Sequence, residues 1–168
     1  MFSPFDTNPT QVTGLIVFVA AALSCGWAVR RTSGRTAVLW RWLAVVQCLF
    51  LAEIVFGLRH QVHGGVDAVL QQLGWYANRR PLQVALLVLS FAGLGFAAMP
   101  VLRVFAGSPS ARLAAIASLA ALALFGLEAI SLHQIDSELY RPVGPVMLIA
   151  WLWLALGAVV VRAASRTR

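Results

Sequence analysis

Five apolar runs decide what this chain can become. They lie at 12–29, 37–58, 81–103, 111–133 and 144–161, and each is long enough to cross the hydrocarbon of a bilayer as a helix. Lipid offers no hydrogen bonds to the backbone, so a run of this kind that spans it must satisfy its own N–H and C=O groups as a helix. The sequence therefore reads as an all-α integral membrane protein, a single bundle of five transmembrane helices. Composition agrees: 60% of the 168 residues are hydrophobic and 11% are charged, too few to cover a soluble domain of this size.

The connections are short except at 59–80. There Val66, Val69, Leu70 and Leu73 recur at i, i+3, i+4 and i+7, with Asp67, Gln71 and Gln72 on other faces. This pattern predicts one short amphipathic helix, 66–74, lying in the membrane interface. Gly64-Gly65 is expected to end the second span before it, and 134–143 reads as a polar loop. Pro81 suits a first helical turn, and Pro100 a kink or end of the third span. Trp27, Trp40, Trp42, Trp75, Trp151 and Trp153 read as interfacial belt residues. Gly93 and Gly95 read as helix-packing positions. Ala114/Ser118 and Ala117/Ala121 give small-xxx-small spacings, which place the fourth span in the middle of the bundle. Cys25 and Cys48 read as buried hydrophobes, too far apart along their helices to be bridged.

All 13 basic residues are arginine and the net charge is +7. Their placement at the ends of apolar runs excludes a nucleic-acid surface and marks topology instead. One side holds Arg30, Arg31, Arg35, Arg41, Arg103, Arg112, Arg162, Arg166 and Arg168. The other holds Arg59, Arg79, Arg80 and Arg141, with Asp6, Asp67, Asp136 and Glu138. The positive-inside rule then predicts a periplasmic N-terminus and a cytoplasmic C-terminus in a bacterial inner membrane. The first eleven residues carry no basic residue, unlike the start of a signal peptide.

Candidate chemistry gathers in two places, both at the arginine-poor end. Glu53 lies inside an apolar run and is followed by Arg59, His60 and His63; Glu128 lies inside another and is followed by His133 and Asp136. An ionisable residue in hydrocarbon is a functional candidate by default. On a continuous helix Glu53 and His60 share a face about 10 Å apart, whereas Glu128 and His133 do not. The residue order Glu, His, Asp, Tyr, Arg, Pro recurs in the two stretches, as a duplicated hairpin would give.

From these residues we expect a cofactor site. Haem b would be held by His133 and one of His60 and His63, or a transition metal by these histidines with Glu53, Glu128 and Asp136. Neither CxxC nor HExxH occurs. The competing expectations are a purely structural or assembly protein, a proton or ion path through Glu53 and Glu128, and a quinone- or lipid-handling site. The working expectation is a small accessory or cofactor-binding subunit, acting with a larger membrane protein or as a homo-oligomer.

Overall fold

The computed structural model describes residues 8–75, 79–130 and 133–167, apart from the side chains of Arg59, His60, Val62, His63, Val66, Asp67, His133 and Gln134. Five helices are long and apolar enough to span a membrane: α1 (Pro9–Arg31), α2 (Gly34–Phe56), α4 (Arg79–Val104), α5 (Pro109–Ile130) and α7 (Leu148–Ser165). Two shorter helices, α3 (Leu58–Gln72) and α6 (His133–Leu139), lie between them. A two-residue antiparallel hairpin, β1 (Pro142–Val143) and β2 (Val146–Met147), precedes α7.

The helix ends follow local chemistry. Asn8 caps α1 by accepting the Thr10 N–H at 3.0 Å, and Pro9 fills the first position, where its missing N–H costs nothing. At the end of α2, Gly57 adopts a left-handed conformation (φ 59°, ψ 39°) and its N–H closes on the Glu53 carbonyl at 2.8 Å. The Gln61 side chain donates to the Phe56 carbonyl at 2.9 Å, satisfying a second carbonyl at the same end. The break therefore falls at Gly57, not at Gly64-Gly65, which lie inside α3. α4 continues through Pro100 to Val104. The stretch expected as a polar loop after α5 contains α6 and the hairpin, and the last span begins at Leu148.

Four of the spans make the core. α1 packs along α2 on one side and α7 on the other; α5 packs on α7 and α2, and also meets α3 and α4. Each of the four contributes one ring to a central aromatic cluster: Phe18, Phe50, Phe125 and Trp153, with centroids 5.1 to 6.3 Å apart. Below it, towards the arginine-rich end, Ala21, Cys25, Trp40, Leu43, Ala114, Ala117 and Val160 form a second layer.

α1 and α7 approach each other closely, through glycine. A Cβ on Gly157 would collide with Val17, and one on Gly14 would meet the Trp153 ring at 3.0 Å. The small-residue face of α5 is buried as expected, Ala114, Ala117, Ser118 and Ala121 included. Gly93 and Gly95 on α4 have open space around them and pack against nothing. Trp40 and Trp153 are fully enclosed core residues, not belt residues. Both cysteines are free thiols, Cys25 buried and Cys48 exposed.

α4 differs from the rest. It packs chiefly on α5 and buries none of its own residues. Its pairing also separates the two hairpins of the suspected repeat, since α5 and α7 lie side by side while α2 and α4 do not pair along their lengths. Pro81 sits in the first turn of a helix and Pro142 in a strand, so the matching residue order does not give matching structure.

Candidate functional site

The arginine-poor end of the bundle is built as a cap over the aromatic cluster. α6 ends at Leu139, the chain turns at Tyr140, and the hairpin returns it to α7. Three side-chain bonds hold this cap down. The Met147 N–H donates to Thr10 Oγ1 at 3.0 Å, the Trp151 indole donates to the Val143 carbonyl at 2.9 Å, and the Tyr140 hydroxyl donates to Glu128 Oε1 at 2.9 Å.

Glu128 is the centre of the arrangement. It lies one turn beyond Phe125 on α5 and is 5% exposed. A carboxyl group in such a place must be hydrogen-bonded or it is costly to bury. The hydroxyl of Tyr140, twelve residues further on, meets that requirement from the cap.

Beside Tyr140 lies a cavity of about 350 Å³, bordered by Asn8, Thr10, Gln11, Ile54, Val55, Phe56, Gly57, Tyr140, Met147 and Trp153. Among the described residues the lining carries no formal charge. It combines amide and hydroxyl groups at the rim with the Trp153 and Tyr140 rings, and the Gln11 amide donates across it to the Ile54 carbonyl at 3.2 Å. A volume of this order lies at the small end of the range for sites that take a small organic molecule. Chemically the cavity can hold a neutral, partly polar group against an aromatic wall, with the Tyr140–Glu128 pair as a hydrogen-bonded path away from it.

The residues expected at a site fall out unevenly. Glu128 is there. Asp136 is half-buried on α6, and its carbonyl accepts the Tyr140 N–H at 2.9 Å, one turn from the Tyr140–Glu128 bond. Glu53 is half-buried in the last turn of α2, next to the cavity-lining residue Ile54. The helical face that was to join Glu53 to His60 does not exist, because Gly57 breaks the helix between them. His60 and His63 belong to α3 and His133 opens α6, but their side chains lie outside the described residues. Among the described residues no group of three histidines, cysteines or carboxylates comes together, and the cavity lining offers no imidazole, thiolate or carboxylate.

Two polar features escaped the sequence reading. Tyr140 was legible only as part of a repeated order. Gln47, 1% exposed, donates to Ser118 at 2.9 Å and so joins α2 to α5 in mid-bundle, while Ser118 donates to the Ala114 carbonyl. The signal for Gln47 was an amide inside an apolar run, weaker than a charge but of the same kind. Compared with known family models, with curated proteins and with solved structures, the chain matches none.

Proposed function

We propose that this protein is a small accessory membrane subunit that binds a neutral, partly polar small molecule at its arginine-poor end. The observation that carries the reading is the uncharged cavity bordered by Tyr140, whose hydroxyl is bonded to the buried Glu128. The arginine asymmetry supports placing that end in the periplasm of a bacterial inner membrane, N-terminus outside and C-terminus inside. The unburied length of α4 favours a larger membrane protein or a second copy as partner.

A second reading is a cofactor subunit, with haem or a transition metal held by His60, His63 and His133. One contact favours it: α3, which carries two of these histidines, packs on α5, the helix that leads towards the third.

One preparation tests both. The protein is purified in mild detergent, and its visible spectrum, metal content and extractable small molecules are measured. The first reading expects a colourless, metal-free protein that releases a stoichiometric organic molecule, with occupancy reduced in Thr10→Val and Gln11→Leu. A Soret band or a stoichiometric metal, lost in His133→Ala, would establish the second. A folded protein carrying nothing would overturn both and leave a structural subunit.

A further inference from the structure

Eight described arginines, Arg30, Arg31, Arg35, Arg41, Arg103, Arg112, Arg162 and Arg166, are all exposed at one end of the bundle. The described acidic side chains, Glu53, Glu128, Asp136 and Glu138, belong to the opposite end. Among the described residues no aspartate or glutamate side chain lies at this surface. A topology signal needs only a bias in charge between the two sides; a strongly cationic face attracts anions in the folded protein as well.

The arrangement is most specific where α1 and α4 end and α2 begins. The Arg31 guanidinium lies over the Trp27 ring at 3.7 Å from its centroid, which holds it at the level of an interfacial aromatic residue. Arg35 reaches the last carbonyl of α4, donating to the Val104 oxygen at 3.4 Å, which occupies one of its five N–H donors. Arg103 is the neighbour of Val104 in the last turn of that helix. Arginine presents a planar fork that matches phosphate oxygens in pairs. α4 buries nothing of its own, so lipid chains can lie along it below these forks.

We propose that Arg31, Arg35 and Arg103 form a binding site for the phosphate headgroup of an anionic phospholipid of the same leaflet, and that this lipid helps to hold this end of α4 to α2. The warrant is charge complementarity. The described surface is strongly cationic, it includes an exposed tryptophan of the interfacial type, and it adjoins an apolar helix flank.

The test uses the full chain in nanodiscs of phosphatidylcholine with phosphatidylglycerol, and native mass spectrometry to count retained lipids. The wild-type protein should retain phosphatidylglycerol in preference to phosphatidylcholine, and the preference should weaken as salt is raised. The triple variant Arg31→Gln/Arg35→Gln/Arg103→Gln should lose at least about tenfold of it, each arginine near an anionic surface contributing about fivefold before screening. Arg80→Gln/Arg141→Gln, at the other end, should keep it. The triple lysine variant guards against misfolding: it retains the charge and should show a weaker but clear preference. No preference in the wild-type protein, or an equal one in the glutamine variant, would overturn the proposal. Complete displacement by millimolar inorganic phosphate would also overturn it, in favour of a free-phosphate site.

Discussion

At the scale of single residues, the bond between Tyr140 and Glu128 joins two questions that are usually separate, stability and function. Glu128 could be recognised in the sequence because a carboxylate stands out in an apolar run. Its partner could not, because the pairing depends on how α6 and the turn at Tyr140 fold back over the bundle. We predict that Tyr140→Phe, which removes the donor and leaves the ring, lowers stability by about 1–2 kcal/mol, in line with polar contacts in membrane bundles and hydrogen bonds to a charged or acidic group. Unfolding by denaturing detergent followed by circular dichroism would measure it, and an unchanged midpoint would mean that the hydroxyl is dispensable. The tryptophans teach the same lesson in reverse. Trp151 and Trp153 lie two apart in one apolar run, yet one bonds the hairpin and the other is 2% exposed inside the core. Which way each points is set by helix rotation, and composition around them carries no trace of it.

At the scale of elements, glycine does two jobs that look alike in a sequence. Gly57 takes a left-handed conformation and separates α2 from α3, while the more conspicuous Gly64-Gly65 pair sits inside a helix. Gly14 and Gly157 let α1 and α7 approach, while Gly93 and Gly95 face open space. The difference lies in the neighbour across the gap, which only the packed structure supplies. Gly157→Ala should therefore destabilise the bundle by about 1–3 kcal/mol, since the added methyl meets Val17 and the helices must shift. Gly93→Ala should be neutral or stabilising by up to about 1 kcal/mol, as expected for glycine replaced by alanine in an open helical position. Parallel detergent unfolding of the two variants compares them directly, and equal effects would contradict the assigned seam.

At the scale of the whole molecule, the number of spans was legible and their arrangement was not. α4 and α5 have nearly the same mean hydropathy over their best windows, 2.2 and 2.1, yet 0% of one window and 44% of the other is buried. Lipid tails are as apolar as leucine, so hydropathy sorts membrane from water and cannot sort lipid-facing from protein-facing surface. Orientation is open to a direct check. In a background with Cys25 and Cys48 replaced by alanine, single cysteines at Ser137 and Ser165 are expected to react with an impermeant thiol reagent from opposite sides of the membrane. Labelling from the same side would break the five-span topology.

The glycine seam has one more consequence, for the order in which the bundle is assembled. α1 enters the membrane before every other described span and α7 after them all, yet they lie against each other and together hold two of the four central rings. The α1–α2 pair can form as soon as both are inserted, but the aromatic cluster stays open until α7 arrives. Up to that moment Phe18 and Phe125 lack their indole neighbour, and the flank of α1 around Gly14 is bare to lipid. α7 is thus the keystone of the described spans: a chain halted before it would be an unclosed ring of helices, with the apolar flanks that α7 covers left exposed.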